Sequence, residues 1–115
     1  MSRQVVAVSK STSVGSARKL MERARVSVLP VLEGDRLVGV ITSGEIEEED
    51  AEKKVGSVNH RLLYVESEDS PEKAAKIMVE NRINRLPVVS SAFEMRCIGI
   101  ITSTEVAKRH KKSLL

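Results

Sequence analysis

The chain has 115 residues, 41% hydrophobic, 30% charged and 2% aromatic, with Tyr64 and Phe93 as its aromatics. Its core must be built from Val, Ile, Leu, Met and Ala, and recognition of single-stranded nucleic acid by base stacking is disfavoured. The formal charge of +3 rests on the four cations within Lys108-Arg109-His110-Lys111-Lys112, without which the chain carries −1, so no globally basic nucleic-acid surface is indicated.

In chain order, Val5-Val6-Ala7-Val8 reads as a short strand. Ser13 is a helix N-cap, followed by Ala17, Leu20, Met21 and Ala24 at helical spacing. Residues 29–32 and 37–41 form two strands joined at the Gly34-Asp35 turn signal. A second helix starts near Thr42 and is expected to include the acidic run Glu47-Glu48-Glu49-Asp50. Glu49 and Asp50 lie four residues before Lys53 and Lys54, the pattern of a solvated, ion-paired helix face. The run lacks the Gly-interrupted alternation of a calcium loop.

The same order then returns. Leu62-Leu63-Tyr64-Val65 is a strand. Ser70 is an N-cap and Pro71 suits the first helical position. Ala74, Ile77 and Met78 keep helical spacing, residues 86–89 and 97–101 form a second hairpin, and a helix starts near Thr102. An offset of 57 lays Arg25-Val26-Ser27-Val28-Leu29-Pro30-Val31 on Arg82-Ile83-Asn84-Arg85-Leu86-Pro87-Val88. An offset of 60 then lays Gly39-Val40-Ile41-Thr42-Ser43-Gly44-Glu45 on Gly99-Ile100-Ile101-Thr102-Ser103-Thr104-Glu105. The three extra residues fall in the second hairpin turn, where an insertion is tolerated. The chain is therefore two β-α-β-β-α units, residues 1–54 and 55–115. Each is too small to be comfortable alone.

Two copies of a helix ending in Arg-x-x-x-Leu-Pro-Val, then a hairpin, then Gly-h-h-Thr-x-x-acid (h apolar), resemble a tandem pair of cystathionine-β-synthase (CBS) domains, a Bateman module. The resemblance covers residues from about 2 to 107. It implies an α+β fold in which two CBS repeats pack with pseudo-twofold symmetry. It also implies a regulatory, non-catalytic role and association as a homodimer. The implied ligand is an adenine nucleotide (AMP, ADP or ATP), with S-adenosylmethionine ranked behind, held between the repeats. By position, phosphate and ribose contacts carry over to Thr42, Gly44 and Glu45, and to Thr102, Thr104 and Glu105. Base contacts carry over to Val26 and Ser27, to Ile83 and Asn84, and to the leading strands around Ser2 and Ala7, and Asn59 and Tyr64. The family's crossed geometry groups Thr102, Thr104 and Glu105 with Ala7, Val26 and Ser27. It groups Thr42, Gly44 and Glu45 with Tyr64, Ile83 and Asn84.

The chain departs from the family pattern in carrying Glu where Asp is usual, and Gly44 in place of a hydroxyl residue. The hydroxyl pair Thr102 and Thr104 makes the second-repeat site the favoured one. Strand-to-helix junctions at Thr42 and Thr102 offer backbone N–H groups to a phosphate. Thr-x-x-Glu is equally a capping box, which accounts for these residues without any ligand.

The remaining signals are weaker. His60 and His110 have no metal-ligand spacing, and the lone Cys97 excludes an internal disulfide and a cysteine zinc site. Cys97 reads as an inert thiol on an apolar strand. Lys10 reads as a surface lysine, and Met21 and Met78 as core fillers. No nucleophile–base pair is recognisable, so no residue is named catalytic. With no ~18-residue apolar span and no signal-peptide block, a cytoplasmic protein is expected, acting through an effector partner. The rival readings are a ligand-free dimeric scaffold and a nucleic-acid-associated protein using the basic tail.

Overall fold

The structure, a computed structural model, describes Met1 and residues 3–114, with side chains described through residue 108. Ser2 and the tail cations beyond Lys108 thus lie outside what is described. Two compact units are present: Val6–Leu62, and Met1–Val5 together with Leu63–Leu115.

In the first unit, α1 (Val14–Ala24) starts at Ser13, whose hydroxyl accepts from the Ser16 amide at 3.1 Å. Val14, Ala17 and Met21 form its buried stripe. The helix ends at Arg25, a left-handed residue with φ 57°, and the Val26 amide bonds back to the Met21 carbonyl at 3.0 Å. Glycine usually fills that position; here an arginine does, as Arg82 does in the second unit at φ 55°. The arginine that opens the Leu-Pro-Val segment is thus a helix stop.

Strands β1 (Val28–Glu33) and β2 (Arg36–Thr42) pair antiparallel around Gly34, whose φ of 63° suits the tight turn. The leading strand expected at residues 5–8 is a single parallel bridge, Val8 to Val31. Of its four residues only Val8 is buried, and Ser9 turns the chain away by exchanging bonds with Thr12.

The second correction concerns the acidic run. Helix α2 (Ser43–Ile46) is one turn long, and Glu47 to Asp50 lie beyond it. Four consecutive carboxylates face the negative end of any helix they would extend. The Arg18 guanidinium instead donates to the carbonyls of Ile46, Glu47 and Glu49, where the chain leaves the helix. Glu49 pairs with Lys53 at 2.9 Å as the spacing suggested. A 3-10 turn, Val55–Ser57, then closes onto this unit, with Val55 and Val58 in a core shared with Val14, Leu29, Ile41 and Ile46.

In the second unit the sheet order is β3-β4-β5. β3 (Val65–Glu66) runs parallel to β4 (Arg85–Val89), and β4 antiparallel to β5 (Cys97–Thr102). The strand expected from Leu62 is therefore reduced to two residues. Helix α3 (Pro71–Asn81) is capped by Ser70, which accepts from the Lys73 amide at 3.2 Å, and starts on Pro71. Helix α4 (Ser103–Leu114) runs for 12 residues.

Candidate ligand site

Each hairpin delivers its second strand into a helix start with the same construction. In the first unit the Thr42 hydroxyl accepts from the Glu45 amide at 3.3 Å, and Glu45 Oε1 accepts from the Thr42 amide and hydroxyl, both at 2.9 Å. In the second, Thr102 and Glu105 repeat these bonds at 3.2, 3.1 and 3.2 Å. The Ser43 amide donates to the Ser27 carbonyl and the Ser103 amide to the Asn84 carbonyl, both at 2.8 Å. The amides of the cap, the first and the third helical residues are therefore engaged in both units. Gly44 and Thr104 stand at the second helical position and are exposed. A Cβ placed on Gly44 would meet nothing within 4 Å, so the glycine is not a packing requirement.

Only one oxygen of each glutamate closes its capping box. Glu45 Oε2 lies 3.9 Å from Arg61 Nε, and Glu105 Oε2 takes the Met1 ammonium. Burial works to raise the Glu105 pKa. The ammonium together with the Thr102 amide and hydroxyl outweigh it, and the carboxyl is held below the usual range.

Arg61 was not singled out from the sequence. It is pinned to β2 by the Val40 amide, which donates to its carbonyl at 2.7 Å. His60 has Nδ1 2.7 Å from the Val58 carbonyl and its ring over Gly39. The legible signal was Gly39 itself, because a glycine inside a strand marks close approach by another group.

The other expected contacts divide between the units. Ala7, Val26 and Ser27 belong to the unit with Thr42, Gly44 and Glu45; Tyr64, Ile83 and Asn84 belong to the unit with Thr102, Thr104 and Glu105. The Val26 and Ile83 amides are spent on the carbonyls of Met21 and Met78, each at 3.0 Å. Ile83 is buried, Ala7, Val26 and Tyr64 half-buried, and Ser27 and Asn84 exposed. Lys10 is exposed, with its stem against Gly56. Among the described residues no group of three or more His, Cys, Asp or Glu could hold a metal ion. No helix among them is long and apolar enough to cross a membrane.

The model of the CBS domain family matches residues 1–52 and again residues 55–112. The inosine-5'-monophosphate dehydrogenase of Methanocaldococcus jannaschii is 40% identical over 112 residues, covering 95% of this chain and 22% of that enzyme. The chain thus spans about a fifth of the length of the curated dehydrogenases it matches. Among solved structures, CBSX2 in complex with AMP gives a TM-score of 0.77 at 28% identity, covering 100% of this chain and 95% of that one. The cytosolic domain of the Mg2+ channel MgtE in complex with ATP gives 0.77 at 26% identity, covering 92% and 45%.

Proposed function

The chain belongs to the CBS domain family as a tandem pair of CBS repeats, and from that premise we propose that it is a regulatory module that binds an adenine nucleotide. AMP, ADP and ATP are the first candidates, with S-adenosylmethionine behind them. Thr102, Thr104 and Glu105 form the favoured phosphate and ribose grip, and Thr42, Gly44 and Glu45 the second. Ala7, Val26, Ser27, Tyr64, Ile83 and Asn84 serve the base. The module works as a homodimer whose ligand state is read by an effector protein.

The observation that carries this reading is the divided carboxylate. Glu105 closes its cap with Oε1 while Oε2 already holds a hydrogen-bonding cation. A ribose diol that takes over Oε2 leaves the helix cap intact, and a carboxylate can accept from both hydroxyls. The longer helix, α4, stands behind this site. The solved CBS pair that carries AMP adds support at near-complete coverage.

A ligand that binds only the folded state raises its melting temperature by mass action. The test is thermal shift and calorimetry with AMP, ADP, ATP and S-adenosylmethionine at millimolar concentration. Thr104→Ala touches no capping bond, and Glu105→Gln keeps a capping-box residue while removing the charge. Both are expected to abolish most of the shift. Absence of heat and of shift with all four ligands would sink the proposal. The completeness of both capping boxes favours that second outcome's reading, a ligand-free dimeric interaction module.

A further inference from the structure

The first unit closes its core with a strap. From Ile46 the chain runs nine residues to Val55, which is fully buried in one cluster with Val8, Val14, Ala17, Val31 and Ile41. Backbone bonds fasten it. The Val55 amide donates to the Thr12 carbonyl at 2.8 Å, and the Val14 and Gly15 amides to the Lys53 and Ala51 carbonyls at 2.8 and 2.9 Å. In the second unit that place is a cavity of about 160 Å³. Val65, Pro71, Ala74, Val88 and Ile101 line it, the repeat equivalents of the five residues clustered with Val55. Met1, the equivalent of Val58, lines it too. Such a space between apolar walls accepts a branched aliphatic side chain. The offset of 60 that lays Ile46 on Val106 lays Val55 on Leu115, so nine residues again separate the helix from the closing side chain.

Charge marks the same pairing. The first strap is acidic, Glu47 to Asp50, and the loop beside it carries Lys10. In the second unit both signs are reversed. The loop at the cavity rim carries Glu66, Glu68 and Asp69, and the chain leading to Leu115 carries Lys108, Arg109, Lys111 and Lys112. On a helix these cations meet at i,i+3 and i,i+4, where like charges repel, so the last turns of α4 are weakly held. The fastening also differs. Pro71 has no N–H where Val14 donates. A Cβ on Gly15 would lie 3.2 Å from Ala51 Cβ, and the equivalents there are Glu72 and Lys111, an ion pair once a strap is down. A strap on this unit is thus fastened by charge and one side chain more than by backbone bonds, and it can be released.

We infer that residues 111–115 are a releasable strap, and that Leu115 seats in the cavity of its own second unit. With Ala75 where Arg18 stands, nothing draws the chain off the helix at Val106, and unwinding starts at Lys108. The form with α4 helical through Leu114 is the released one. The inference does not depend on nucleotide binding.

Methyl NMR of the full chain without nucleotide tests it. At low ionic strength, contacts from the Leu115 methyls to those of Val65 and Val88 are expected, and molar salt should weaken them by screening the rim. Glu72→Lys and Lys111→Glu should each abolish the contacts, and the double variant should restore them. Trypsin cleavage after Lys112, scaled to the matching free peptide, should be at least tenfold faster in Leu115→Asp than in wild type, while Leu115→Val, the residue of the first strap, should cleave like wild type. Helical shifts through Leu114 with no Leu115 contacts at low salt would overturn the inference. So would contacts seen only between differently labelled copies, which would give the segment to a second molecule. Equal cleavage in wild type and Leu115→Asp, or a double variant that restores nothing, would overturn it too.

Discussion

Replacing Arg18 by Met tests why the first unit's second helix stops where it does. One guanidinium nitrogen donates to three carbonyls, of Ile46, Glu47 and Glu49, the Glu47 contact at 3.0 Å. A single NH2 group has two hydrogens, so about two full bonds are made. Bonds to a charged group contribute about 1.5–3 kcal/mol each, and water recovers part of that at the exposed Glu47 carbonyl. The expected net loss is about 2–3 kcal/mol, or a melting-point drop of roughly 8–12 °C for a chain of this size. In urea the midpoint should fall at constant slope. Arg18→Lys keeps a charge with three donors and should restore at least half the loss. Ala75→Arg, at the equivalent position, should gain nothing, since α4 continues as helix. A change below about 0.5 kcal/mol in Arg18→Met, within ordinary surface variation, would refute the carbonyl clamp as the device that ends α2.

Gly39→Ala puts a Cβ 2.4 Å from His60 Cδ2; it should cost about 1–3 kcal/mol, speed hydrogen exchange at the Val40 amide, and be largely rescued by His60→Ala. Asp69 is held below the usual carboxylate range chiefly by the Glu66 amide, against burial and with help from Lys73. Its contribution is therefore present above the unfolded pKa, about 4, and lost as pH falls through the depressed folded value. Asp69→Asn should flatten that acid limb in urea midpoints measured from pH 2 to 6. Burial raises the Cys97 thiol, partly countered by the Gly99 backbone. Iodoacetamide should then alkylate it at least tenfold more slowly in the native protein than in urea, because the thiolate is the reactive form.

The repeat made most of the fold legible. Ser13, Ser70, Pro71 and the Gly34 turn act locally, so their roles can be read from neighbours in sequence. The hairpins follow from alternating apolar residues between turn signals. What escaped depended on distant groups. Helical spacing extends through Glu47 to Asp50, but the chain stops at Ile46 because like charges meet the helix end and Arg18, 28 residues away, takes the released carbonyl. The leading strands looked as long as β1, yet burial reaches only Val8, and Val65 with part of Glu66. At the candidate site, Thr-x-x-Glu announced the cap. Arg61 could not be found, because its place beside Glu45 depends on a backbone bond to Val40 across 21 residues.

The glutamates at positions 45 and 105 look at first like a weakened version of the family's aspartate. Their geometry argues the opposite. A capping box needs a side chain long enough to reach back from the third helical residue to the cap amide, which is why Glu and Gln fill that position. The extra methylene lets Oε1 do this at 2.9 Å in one unit and 3.1 Å in the other. Oε2 is then left facing a cation rather than the helix. One side chain thus holds its own helix start and presents a fixed acceptor at the same time. On the proposed reading, a ribose at Oε2 exchanges with the cation held there; for the exposed Arg61 beside Glu45 that contact is about 0–1 kcal/mol. Releasing the cap would cost about 0.5–2 kcal/mol. The substitution therefore favours a preformed acceptor over one that must first be freed.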